Sequence, residues 1–200
     1  MIWWLKIRAV PTLVAGTAAT IALGLLIGNA QLPVPAMTGQ AGQFLVGHLI
    51  TLAPAILILF GTGRGDLTAE SVSARPLTRW DLSLAVATAA ASLLTATLFR
   101  TIWPTDITVV LGRNIAGYIG IALVLLPFLG HRAAGAALAV VPLLCAAAGW
   151  GPGGPPEPWA WLLHPGDSIP ALTLALGTLA AGITATLTRR KPPRDANALQ

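Results

Sequence analysis

Residues 109–149 read VVLGRNIAGYIGIALVLLPFLGHRAAGAALAVVPLLCAAAG, with a fixed charge only at Arg113 and Arg132. A hydrocarbon layer about 30 Å thick is crossed by about 20 residues of helix at a rise of 1.5 Å each. The run is therefore two crossings long, and the gap at 130–132 divides it into Val109 to Leu129 and Ala133 to Gly149. Four more stretches share this composition: Ala9 to Gly28, Gly42 to Thr62, Leu82 to Leu98 and Ile169 to Leu187. The sequence predicts an all-α fold, a polytopic bundle of six transmembrane helices in a lipid bilayer, with residues 1–200 forming one membrane domain.

The 200 residues are 55% hydrophobic and 10% charged, which leaves little chain for a soluble domain beyond the gaps Gly63 to Asp81 and Gly151 to Ser168. Ten of the twelve Lys and Arg residues fall on one side: Lys6, Arg8, Arg64, Arg75, Arg79, Arg132, Arg189, Arg190, Lys191 and Arg194. Only Arg100 and Arg113 fall on the other, so the positive-inside rule places both termini in the cytoplasm of a bacterial plasma membrane. The net charge of +5 is spent on orientation, and no aromatic-basic groove suggests nucleic acid. Gly28 and Ala30 offer a small-x-small cleavage site, but the preceding apolar run is long for a signal peptide and reads as a retained helix. Cys145 sits inside an apolar stretch as a small hydrophobe, and no disulfide framework exists.

Proline and glycine punctuate the outer gaps, at Pro33 and Pro35 and again through residues 150–170; neither segment continues a helix. Tryptophans gather near both boundaries: Trp3, Trp4 and Trp80 inside, Trp103, Trp150, Trp159 and Trp161 outside, as interfacial anchors. The run around Trp159 and Trp161 is either an interfacial loop or a re-entrant one. Small residues four apart supply helix packing at Gly24 and Gly28, Ala116 and Gly120, and Gly177 and Ala181. A line of Thr173, Gly177, Ala181, Thr184 and Thr188 on the last helix reads as a packing seam.

Catalytic motifs are lacking. The two lysines, Lys6 and Lys191, stand in no phosphate-binding loop, so ATP hydrolysis by this chain is not expected. His48, His131 and His164 fall at separate levels of the topology and are not expected to share a metal. Every carboxylate lies in a gap, which argues against an acid-based proton relay. No convergent set of buried polar groups is apparent. The expected catalytic, cofactor and metal residues are none.

Two places carry more information. Arg113 with Asn114 stands about one turn inside the outer surface; its side chain either snorkels to water or turns inward to pair with Asp106, Glu157 or Asp167 as an outer path or gate. The inner loop from Asp66 to Asp81 is polar, compact and mixed in charge, and reads as a docking surface.

Glu70 with Ala74-Arg75-Pro76-Leu77, Arg113-Asn114-Ile115-Ala116-Gly117, and Trp159-Ala160-Trp161-Leu162-Leu163-His164-Pro165 together carry a resemblance. The chain resembles the type-two family of ABC transporter permeases, in particular short six-helix permease-like subunits of actinobacteria. The resemblance implies an exporter half that forms a dimer with a second copy or a paralogue. It also implies an ATP-binding cassette subunit, which carries ATP and Mg and docks on the loop between the second and third helices. Glu70, Arg75, Pro76, Arg79, Trp80 and Asp81 would form the ATPase-coupling loop, and the Trp159 region an extracellular hairpin. The N-terminal segment Met1 to Arg8 is shorter than the family's amphipathic connecting helix. Competing readings are the substrate-capturing subunit of an energy-coupling vitamin importer and a non-transporting accessory or immunity protein.

Overall fold

The computed structural model describes residues 2–35, 41–65, 77–102, 105–152 and 154–188. The described chain is a helical bundle with one small β-ribbon. Its elements are α1 (Ile2–Ile7), α2 (Val10–Ile27), β1 (Gln31–Pro35), β2 (Ala41–Leu45), α3 (Val46–Ile50), α4 (Ala53–Gly63), α5 (Leu77–Ile102), α6 (Asp106–Ala148) and α7 (Ile169–Thr188). A 3-10 turn spans Trp161–Leu163. Five helical rods are long and apolar enough to cross a membrane: α2, α3 with α4 as Val46–Gly63, α5, α6 and α7.

Local chemistry explains where these elements begin and break. Ala9 takes a left-handed conformation (φ 50°) that separates α1 from α2, and Pro11 enters the first turn of α2, where its missing N–H has no partner to lose. Pro54 interrupts the second rod because its ring excludes the carbonyl four residues back. The Thr51 hydroxyl at that break turns back to the carbonyls of Gly47 and His48.

The longest helix, α6, would measure about 65 Å if straight. It is not straight, because Gly130 adopts φ 72° and ψ 175°, a conformation closed to other residues. Gly117 lies against the Trp161 ring, and a Cβ built on Gly149 would meet Leu163 at 2.7 Å and Ala160 at 2.8 Å. Two positions that a straight helix would hold about 48 Å apart therefore meet one short segment, so the halves 106–129 and 131–148 run side by side. The break falls at the gap expected from sequence.

The ribbon corrects the expected proline loop and shortens the expected second span, whose helix starts at Val46 rather than Gly42. Strand β1 pairs antiparallel with β2, from Gln31 opposite Leu45 to Pro35 opposite Ala41. The Val46 N–H donates to the Ala30 carbonyl, which fixes the bonded rungs at 30, 32 and 34. Pro33 and Pro35 thus occupy the non-bonded rungs, where a missing N–H removes nothing from the ladder.

The half 106–129 is the central column, with Ile115, Ala116, Tyr118, Ile119 and Ala122 buried on all sides. It packs closely on α7, where a Cβ built on Gly182 would sit 2.6 Å from the Gly120 carbonyl. Gly24 meets Leu111, and Gly28 accepts the Gly47 N–H at 3.0 Å, so Gly24, Gly28, Ala116 and Gly120 lie at contacts between elements. Gly177 and Ala181 do not. Both are exposed, and a Cβ on Gly177 meets nothing within 4 Å. The seam of α7 is formed by Ala171, Ala175 and Gly182, which corrects the expected stripe. Between α2 and α5 an apolar groove of about 550 Å³ remains open.

Candidate functional site

Arg113 is fully buried at the heart of the outer half, 0% exposed. Its Nη1 donates to the Pro165 carbonyl and its Nη2 to the His164 carbonyl, each at 2.8 Å, and its Nε donates to Asn114 Oδ1 at 3.3 Å. The side chain neither snorkels nor takes Asp106, Glu157 or Asp167 as partner; three oxygens of neutral groups receive it. A planar guanidinium suits this because its donors diverge in one plane and reach two adjacent carbonyls together.

The network continues inward to α3. Arg113 can only donate, so Asn114 must present Oδ1 to it and Nδ2 to His48 Nδ1, 3.1 Å away. The imidazole then carries its proton on Nε2. Tyr118, one turn beyond Asn114, donates its hydroxyl to the His48 carbonyl at 3.0 Å. Phe44 of β2 lies 5.2 Å from the imidazole centroid. Residues from β2, α3, α6 and the segment before α7 thus converge on one buried polar cluster. It was missed because each member reads singly in the sequence; the available signal was that Arg113, Asn114 and His48 stand inside apolar spans, where polar groups are costly.

The segment 157–166 folds against the bundle, with Ala160, Trp161, Leu162 and Gly166 buried and Trp159 exposed. Trp161 is 5% exposed, and its ring meets Tyr118 edge to face at 5.8 Å. Its assignment as an interfacial anchor is therefore corrected, since it plugs the outer end of the bundle. His164 ties the segment to itself through the Glu157 carbonyl, at 3.1 Å. Trp3 and Trp159, 68% and 50% exposed, stand outside the core as anchors would. Trp150 is half-buried and bridges to Pro156, and Trp103 lies outside the described residues. Above the cluster an outer cavity of about 320 Å³ is lined by Asn29, His48, Asp106, Trp150 and His164 among others.

A second polar site occupies the inner end. Arg8, 2% exposed, pairs with Asp81 through Nε and Nη2, both at 2.8 Å, and its Nη1 donates to the Thr62 carbonyl at 3.0 Å. Trp4 donates to Asp81 at 3.2 Å and packs edge to face on Trp80 at 5.5 Å. Trp80 and Asp81 of the expected coupling set are thus engaged with the N-terminal segment, while Arg79 is exposed. Glu70, Arg75 and Pro76 lie outside the described residues. An inner cavity of about 280 Å³ opens beside Thr62, Thr78, Asp81, His131 and Thr186.

Comparison with known proteins finds no matching family model, curated protein or solved structure. The two sites must therefore be interpreted from their own chemistry. Among the described residues, no three His, Cys, Asp or Glu side chains converge to hold a metal. The outer site offers a shaped polar floor beneath a plug held by hydrogen bonds, and the inner site a charged clamp between helix ends.

Proposed function

We propose that this chain is the membrane-spanning permease subunit of an ABC exporter, driven by a separate ATP-binding subunit. The reversal at Gly130, which divides the longest of the five apolar rods, supports a reading of six crossings, and the uneven spread of basic residues supports one with both termini in the cytoplasm. The observation that carries the reading is the Trp159-to-Pro165 segment. It folds back into the outer half immediately before α7, anchored on Arg113, as the extracellular hairpin of such a permease would.

In this reading Arg113 and Asn114 hold the outer gate shut. Closure of two partner ATPases displaces the loops between α4 and α5, and the bundles rock until the plug parts from the central column. Two copies form the path, with the exposed Gly177 and Ala181 face of α7 available to the second copy. The chain hydrolyses nothing itself; ATP and Mg belong to the partner. Purification in mild detergent should yield an ATP-binding subunit in near-equal amount. Terminal tags should be protected together in right-side-out vesicles, and mutating Arg75 with Arg79 should release the partner.

The outer cavity with its buried polar floor favours a second reading, the substrate-capturing subunit of an energy-coupling importer. A small molecule retained stoichiometrically by the purified chain would select it over the exporter.

A further inference from the structure

Arg8 reads in the sequence as one more cation marking the inner side, yet its side chain is buried and directed. One edge of its guanidinium grips both carboxylate oxygens of Asp81, in the second turn of α5. Its other terminal nitrogen reaches the Thr62 carbonyl in the last turn of α4. These are the two helix ends from which the 64–76 loop leaves and returns. Trp4, a turn earlier, bonds the same Asp81 and packs edge to face on Trp80, so the N-terminal segment grips the α5 end at two points. The left-handed Ala9 sets this grip directly against the start of α2.

We infer that Arg8 is the positioning residue that joins the N-terminal segment to both ends of the loop, so that displacement of the loop displaces α2. The inference rests on the permease reading for the source of the displacement, but the tie itself does not. A fork is required for this task. An ammonium is a point charge and would hold Asp81 or Thr62, whereas a guanidinium spans a carboxylate with one edge and a third acceptor with its remaining donor. The clamp lies where the sequence reading places the inner boundary, and α2 meets the bundle on one side through Leu13, Gly16, Gly24 and the Gly28 carbonyl. Its other side faces the 550 Å³ groove toward α5, which no side chain fills.

The test uses the full chain with its copurified ATP-binding subunit in lipid nanodiscs, with Cys145 replaced by Ala. Spin labels at Leu5 and Ser83, both exposed, report the tie; labels at Leu26 and Ile169, exposed at the outer ends of α2 and α7, report movement on trapping with ATP and vanadate. The native protein should give a narrow Leu5 to Ser83 distance and a trapped-state shift at the outer pair. Arg8→Gln should broaden the first and reduce the second at least about twofold, with the partner retained in near-equal amount. Arg8→Lys, which keeps the charge without the fork, should still reduce the outer shift. An unchanged outer shift in either variant overturns the inference. If no ATP-binding subunit accompanies the native chain, the permease reading and the transmission role both fall, while the Leu5 to Ser83 distances still decide the tie.

Discussion

Arg113 reaches across 52 positions of sequence to the Pro165 carbonyl at 2.8 Å, binding the central column to the segment that plugs its outer end. The bond is charge-assisted and shielded from water, conditions under which a donor is hardest to replace. Neutralising this side chain should free the plug. In Arg113→Gln, maleimide labelling of a cysteine at Leu162, fully buried in the native chain, should accelerate at least tenfold. The variant should also lose about 3 kcal/mol in mixed-micelle unfolding. Unchanged labelling would show that the plug holds without Arg113.

Tyr118 separates hydrogen bonding from packing. Tyr118→Phe removes only the bond to the His48 carbonyl and should cost about 1 kcal/mol. Tyr118→Ala also removes the ring on which Trp161 rests and should cost about 3–5 kcal/mol. Equal costs for the two would mean that the ring contributes nothing.

Two glycines on facing sides of the problem give opposite expectations. Gly120 lies against the backbone of α7 at Leu179, so Gly120→Ala must push two helices apart and should destabilise by about 1–3 kcal/mol. Gly177 meets nothing, so Gly177→Ala should be neutral in the monomer or stabilise it by up to about 1 kcal/mol through helix propensity. Thermal unfolding of both variants side by side in one detergent checks the assigned seam.

Gly130 has open space around it, so substitution there tests conformation alone. Gly130→Ala should cost about 1–3 kcal/mol because φ 72° with ψ 175° suits glycine only. Full stability of that variant would indicate that the two halves of α6 need no such turn.

His48 accepts from Asn114 only while its Nδ1 is unprotonated. Asn114→Leu should therefore leave both His48 Nδ1 and Arg113 Nε without that partner and cost about 1–3 kcal/mol. Asn114→Gln should not rescue it, since the longer amide cannot meet both groups from the same backbone position. The imidazole nitrogen resonances of a labelled sample would report loss of the bond directly.

The amino-acid order alone located the apolar rods to within a few residues, because the length and composition needed to cross hydrocarbon are properties of each segment by itself. It also marked the turn at 130, the uneven spread of cations among the gaps and the unusual Arg113-Asn114 pair. Which way those side chains face was decided only in three dimensions. In a soluble helix an apolar stripe distinguishes core from surface, but lipid is as apolar as the bundle interior, so the same residues serve either environment. Gly177 and Gly120 therefore read alike in sequence and end on opposite sides, as do Trp159 and Trp161. The pairing of Pro33 and Pro35 into a ribbon depends on register with β2, and Thr62 and Asp81 lie 54 and 73 positions from Arg8, His164 and Pro165 51 and 52 from Arg113, distances that only folding closes.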